Sequence, residues 1–194
     1  MFQEFQQHVN SRRKIHVETR CSCHSYLNGY LLGLSDTFGL MHCFHDFLPD
    51  GYTLFRLNDV ISIRSNEYER FWDRMLASEG LLTGLDKNLN MNLTSIQSSF
   101  LSLTDDSQTL IIEAQIPDEE DQDFYIGQVA TFDTTKVWFN HFDALGKWEL
   151  EPAEIPLDEI SFIQFDTPYI KTFSKYVEST CPAKTEQFSG DMES

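Results

Sequence analysis

Basic residues are scarce in this chain. Against 31 Asp and Glu, its 194 residues carry only 14 Lys and Arg, for a net charge of −17. A field of that sign repels phosphate backbones, so nucleic acid is not the expected partner. Cysteine is scarce too: Cys21, Cys23, Cys43 and Cys181 are too few and too unevenly spaced for a disulfide framework. A reducing, cytoplasmic compartment is the simplest expectation. No apolar run approaches the roughly 18 residues of a membrane span. The opening M-F-Q-E-F-Q-Q-H-V-N lacks the basic-then-apolar order of a secretory signal. Also missing are a phosphate-cradling glycine loop, a dinucleotide fingerprint, a nucleophile motif and a recognised zinc spacing. No cofactor is expected, and the chain reads as non-catalytic.

What is present is core material and a repeat. Hydrophobic residues make up 41% of the chain, with 16 Phe, 7 Tyr and 3 Trp, which is enough for a packed interior. From Gly33 the sequence runs G-L-S-D-T-F, an apolar stretch, H-D-F, a Gly turn, L-N-D-V-I-S-I, then Tyr68 and Trp72. From Gly127 it runs G-Q-V-A-T-F, an apolar stretch, H-F-D, a Gly turn, L-D-E-I-S-F-I, then Tyr169 and Phe173. Landmarks in the same order, separated by small insertions, indicate an internal duplication. The charge is not duplicated. Up to Leu85 there are 8 basic against 10 acidic residues; beyond it, 6 against 21.

Each copy predicts a short helix, about five short strands and a closing helix. In the first copy, an amphipathic helix over Phe2 to Val9 precedes a strand running from Ile15 to Tyr26. Leu27-Asn28-Gly29 and Pro49-Asp50-Gly51 read as turns, because Asn, Pro and Gly supply turn dihedrals. Val60 to Arg64 is a further strand. Asn66 caps a helix through Ser78 that turns Tyr68, Phe71, Trp72 and Met75 inward, and Gly80 stops it. In the second copy, Leu93, Ile96, Phe100 and Leu103 have helical spacing. Thr167 caps a last helix, with Pro168 at its first position and Tyr169, Phe173 and Tyr176 or Val177 facing inward. Short bent strands in this number predict a mainly β fold of two tandem five-stranded SH3-like or Sm-like barrels with flanking helices. The expected units are residues 1–84 and 85–180, followed by a loose tail at 181–194.

The run H-F-D-A-L-G-K-W-E-L-E-P-A-E-I-P-L-D-E-I-S-F-I-Q-F from His141 to Phe165, followed by Tyr169, Phe173 and Tyr176, carries a likeness. So do G-Y-L-L-G-L-S-D and H-D-F-L-P-D-G-Y-T-L-F-R-L-N-D-V in the first copy. The chain resembles, over most of its length to about Thr180, a family of bacterial proteins of unassigned activity built on a tandem SH3-like or Sm-like plan. The resemblance implies the fold and no catalytic residues. A wider likeness to Sm proteins implies RNA binding and ring assembly, which the acidic second copy and the lack of a clear nucleotide-pocket motif argue against.

Several constellations are candidates for chemistry. Alternation along strands sets Cys21 beside Cys23, and Cys43 beside His45, so these four are candidate tetrahedral zinc ligands. Buried cysteine packing is the simpler alternative. His45 with Asp46, and His141 with Asp143, form similar His–carboxylate corners, which serve either to orient an imidazole or to fasten a turn. Arg12, Arg13, Lys14, Arg20, Arg56 and Arg64 would carry any RNA contact through the first copy. The acidic segment Pro117 to Asp123 lacks the ligand spacing of a calcium loop. Tyr68, Trp72, Trp138 and Trp148 are core residues or, if exposed, partner anchors. Taken together, these features favour a non-catalytic interaction or regulatory module that binds a protein, with the acidic second barrel turned to a basic surface. A metal-dependent protein centred on the Cys/His cluster is the main alternative.

Overall fold

The structure, a computed structural model, describes residues 2–20, 26–82, 85, 89–103, 108–115 and 122–178. The first copy runs α1 (Phe2–Ser11), β1 (Lys14–Thr19), β2 (Tyr26–Leu34), β3 (Phe38–His45), β4 (Leu48–Arg56), a 3-10 turn (Leu57–Asp59), β5 (Val60–Arg64) and α2 (Glu67–Ser78). The second runs α3 (Ile96–Leu103), β6 (Leu110–Gln115), β7 (Gln122–Phe132), β8 (Lys136–His141), β9 (Ala153–Pro156), β10 (Ile160–Phe165) and α4 (Pro168–Phe173). The ten strands form one antiparallel sheet in the order β5-β1-β2-β3-β4-β10-β6-β7-β8-β9. Each half contributes the same block, its fifth strand beside its first, and the blocks meet where β4 pairs with β10.

The duplication extends to individual hydrogen bonds. The Ser35 N–H donates to the Phe38 carbonyl at 2.9 Å, as Asp133 does to Lys136 at 3.0 Å. The Leu57 N–H reaches the Thr37 carbonyl at 2.9 Å, as Leu157 reaches Thr135 at 2.8 Å. The first strand of each block carries a register shift against the fifth, between Glu18 and Thr19 and between Ile160 and Phe162. Phe5 of α1 and Phe100 of α3 are both fully buried. The closing helices start as expected: the Asn66 side chain accepts the Tyr68 N–H and Thr167 accepts the Ile170 N–H.

The expected pair of closed barrels is not formed. Closure would bring β4 back to β5, and β9 back to β10. Instead the free edge of β4 is taken by β10, in the register Tyr52↔Phe165, Thr53↔Gln164, Leu54↔Ile163, Phe55↔Phe162. An edge already paired across the seam has no hydrogen-bonding groups left for closure. The sheet is therefore open and continuous. Its packing also crosses the seam: Phe38, Leu40, Tyr52 and Leu54 share a cluster with Phe100, Ile112, Phe139 and Phe165, while Phe162 joins the cluster around Phe5, Val17 and Phe55.

Two expected turns lie inside strands. Gly29 sits within β2, opposite Cys43, and Gly127 sits opposite His141. The reason for glycine at both is close approach: a Cβ would lie 2.0 Å from the His42 carbonyl oxygen at the first and 1.9 Å from that of Asn140 at the second. Pro49, Asp50 and Gly51 belong to β4, and the turn falls earlier, at Asp46 and Phe47, where Asp46 adopts a φ of 52°. Gly51 serves the seam: at its φ of 77° an added Cβ would meet the Phe165 carbonyl at 2.7 Å. The inward faces of the closing helices differ as well. α2 buries Glu69 and Leu76 and leaves Tyr68 and Phe71 exposed; α4 buries Ile170 and exposes Tyr169, and Tyr176 just beyond it is exposed too.

The paired glycines generate a test of equivalence. Gly29→Ala and Gly127→Ala are each expected to lower stability by about 3 kcal/mol, since a side chain is forced into backbone. Denaturant unfolding of both variants checks it. A neutral result at either position contradicts the shared close approach.

Candidate functional site

The expected zinc cluster is only partly describable, since Cys21 and Cys23 lie outside the described residues. Cys43 and His45 differ sharply in exposure. The register shift between the pairs His42↔Tyr52 and Phe44↔Pro49 places its extra residue in β4, so β3 keeps the alternation that sets Cys43 and His45 on one side. Cys43 is buried, and its thiol donates to Thr53 Oγ1 at 3.3 Å. Burial pushes that thiol up to about 12, so with no cation beside it the sulfur is protonated at neutral pH. His45 points into solvent, its Nδ1 4.0 Å from Asp46 Oδ2, with both side chains more than 70% exposed. Among the described residues, no group of three or more His, Cys, Asp and Glu is gathered for a metal ion.

Cys43, His45 and Asp46 do line one polar pocket of about 260 Å³ at the seam, with Tyr26, Asn28, Asp50, Thr53 and Gln164. Gln164 comes from β10 and donates to the buried Glu113. The pocket brings a buried thiol, an exposed imidazole and two aspartates together.

The two His–carboxylate corners are not structural equivalents. Cys43 faces Gly29 where His141 faces Gly127, so His141 occupies the place of Cys43 and Asp143 that of His45. Asp143 fastens the turn: its Oδ1 accepts the N–H groups of Leu145 at 2.8 Å and Lys147 at 2.9 Å. Those backbone bonds hold its carboxyl below the usual carboxylate range. His141 packs edge-on against Tyr125, ring centres 5.4 Å apart, and its pKa is lowered by burial with Glu149 opposing.

The basic residues are dispersed. Arg12, Arg13 and Arg20 are exposed, but Lys14 is buried beneath Trp72, its Nζ 5.4 Å from the ring centre. Arg56 donates to the carbonyls of Ile160 and Leu157 across the seam, and Arg64 pairs with Glu69 at 2.8 Å. Sequence reasoning missed the group that fixes α2: Asp73 accepts the Tyr30 hydroxyl at 2.6 Å and the Lys14 N–H at 3.1 Å. No motif marks it, because its three members are assembled from a helix and two strands.

Aromatic exposure is uneven. Trp72 stacks on Phe47 with centroids 4.7 Å apart, beside a shallow groove lined by Phe47, Arg74, Met75, Ser78, Glu79 and Leu81. Trp138 lies beneath Lys136, and the Trp148 indole N–H donates to the Glu178 carbonyl at 3.0 Å. Among the described residues the most exposed large hydrophobic side chain, Leu150 at 89%, belongs to the β8–β9 connection, which also exposes Leu145 at 76%. Compared with family models, with curated proteins and with solved structures, the chain matches none.

His141 gives the site a pH signature. Its folded pKa lies below the unfolded value of about 6.5, so the unfolded chain takes up the proton more readily. Its contribution is fully present above that value and is lost as pH falls through the folded pKa. Urea unfolding at pH 7.5 and 5.5 is expected to show lower stability at the acid end, with a smaller difference in His141→Gln.

Proposed function

We propose that this chain is a non-catalytic interaction module, built from two SH3-like or Sm-like five-stranded units opened at a common seam, which binds a basic protein through its second half. The observation that carries this reading is the β8–β9 connection. Leu145 and Leu150 stand in solvent there, alongside Glu149 and Glu151. Solvent-exposed leucines on a floppy loop would bind weakly, because ordering them costs entropy. This loop is fastened in advance. Asp143 holds the N–H groups of Leu145 and Lys147, Gly146 takes a φ of 76°, and the Phe142 and Trp148 rings meet edge-on at 5.1 Å.

The chemistry fits a partner with an apolar contact set among lysines or arginines. Leucine anchors supply desolvated area, while surrounding carboxylates steer approach and suppress wrong partners. The first half has only the tight Asp46–Phe47 turn at the corresponding place, between β3 and β4. Its near-neutral charge points the same way. The longer of the two equivalent connections is therefore the favoured partner surface.

Immobilised protein is expected to retain basic proteins from a native lysate at about 0.05 M salt and release them near 0.5 M, where charges are screened beyond about 4 Å. Leu145→Ser with Leu150→Ser should abolish retention while leaving thermal unfolding unchanged. Equal retention by the double variant, or retention of proteins without basic character, overturns the reading.

A further inference from the structure

The seam defines what each terminal strand of the sheet is able to do. Along β4, the Leu57 N–H bonds to Thr37, so residues 57, 55 and 53 turn their backbone groups to β3, and 56, 54 and 52 turn theirs away. Leu54 and Tyr52 therefore make the bonds to β10, opposite Ile163 and Phe165. The sheet ends on the counterparts of these two strands. β9 corresponds to β4, and β5 corresponds to β10.

At β9 the Leu157 N–H bonds to Thr135, so residues 156, 154 and 152 face outward. Two of these are prolines: Pro156 in the place of Arg56, and Pro152 in the place of Tyr52. Only Glu154 retains an outward N–H. This edge cannot repeat the bonding of β4. At β5 the situation is reversed. Ser65 Oγ bonds to the Lys14 carbonyl, and the Arg20 N–H to the Asp59 carbonyl, so even-numbered residues of β1 face β5. The pairs His16↔Arg64 and Glu18↔Ser62 are then the bonded ones, and Ile63 directs its N–H and carbonyl outward. Ile63 is the counterpart of Ile163, and among the described residues no strand lies beyond it.

We propose that the outer edge of β5 is a receptor for one extended segment of a partner protein, paired antiparallel and carrying alternating large apolar residues as β4 does. The prolines of β9 are the matching stop, which keeps a second copy of this chain from occupying that edge. The register expected is the one seen at the seam, with the segment's central amide bonded to Ile63. Backbone bonds supply affinity in this mode, and alternate side chains supply selectivity. This surface is distinct from the β8–β9 loop, and its test is independent of the reading built on that loop.

The probe is a labelled peptide of residues 50–56, the segment that fills the equivalent edge of β10. Saturable binding to the full chain is expected by fluorescence anisotropy. Ile63→Pro, tolerated at an edge amide, should weaken it at least about tenfold with the circular dichroism spectrum unchanged, as loss of 1.4 kcal/mol or more would require. The same peptide methylated at the Leu54 nitrogen should lose binding to the unaltered chain, which keeps the test intact should Ile63→Pro misfold. Separately, Pro152→Tyr with Pro156→Arg should convert a monomer into concentration-dependent multimers in sedimentation velocity, and adding Ile63→Pro should restore the monomer. Absence of peptide binding, equal binding by the methylated peptide, or a double proline variant that stays monomeric overturns the proposal. So does an unaltered chain that dimerises through β5.

Discussion

The pairing of β4 with β10 is the interaction on which the rest of the structure depends. A strand edge presents N–H and carbonyl groups that cost about 1–3 kcal/mol each when buried without partners. In a five-stranded block the cheapest local solution is closure of the sheet on itself. Here the fourth strand of the first block and the fifth of the second satisfy each other instead. The seam is reinforced on both sides of the sheet: Tyr52 stacks on Phe165 with centroids 5.2 Å apart, Phe162 enters the cluster around Phe5 and Phe55, and Arg56 reaches the carbonyls of Leu157, just past β9, and of Ile160, which begins β10. Gly51 lets the backbones approach. Once the seam is made, openness of the sheet, the shared core and the identity of the terminal strands all follow.

The copies agree where geometry constrains them and differ where it does not. Gly29 and Gly127 face backbone at about 2 Å, so neither position tolerates a side chain. Asn66 and Thr167 cap helices through different side-chain chemistry at the same point. By contrast, Glu18 sits exposed and accepts Ser62 Oγ at 2.9 Å, whereas its counterpart Glu113 is buried and held by Gln164. The first copy anchors its closing helix with Asp73 on Tyr30 and Lys14; the second has Ser174 at that place and relies on Ile170, Phe173 and Phe142 packing. Polar anchoring in one copy and apolar anchoring in the other leave α2 and α4 with different exposed faces.

Much of the architecture was legible because the landmarks were local. A cap followed by an apolar helix face, a strand bounded by turn residues, and a repeated L-N-D-V-I-S-I against L-D-E-I-S-F-I need no knowledge of distant residues. Closure was not legible, since whether β4 meets β5 or β10 is decided by competition between two edges more than a hundred residues apart. The site was harder still. Cys43 and His45 do share a pocket, but one is buried and the other stands in solvent, and a two-residue offset separated His141 from its supposed counterpart. Alternation says which side of a strand a residue takes and nothing of how deep it lies, and a repeat read from landmarks carries no exact register. Helix faces failed for a different reason. Tyr68 and Phe71 look like core by composition, yet buried Glu69 is satisfied by Arg64 and the Asn66 N–H, so a charged residue holds the inward position.

Duplication inside one chain also changes what the seam means energetically. Two separate five-stranded units would meet only at a concentration set by their abundance; joined by the segment after α2, they meet at an effective concentration fixed by the linker. A contact that is heterologous between separate units, and therefore able to propagate, becomes internal and finite. Finiteness requires that the remaining edges not repeat the contact. Of the two, β9 is short and carries proline where β4 offers amides, while β5 keeps its outward amide and an exposed Ile61. The chain thus ends its sheet in two chemically unlike ways. Blunting one edge is sufficient to stop head-to-tail growth, since every such contact needs one edge of each kind. A second blunted edge would add nothing to that stop, so finiteness of the sheet constrains β9 and leaves β5 unconstrained.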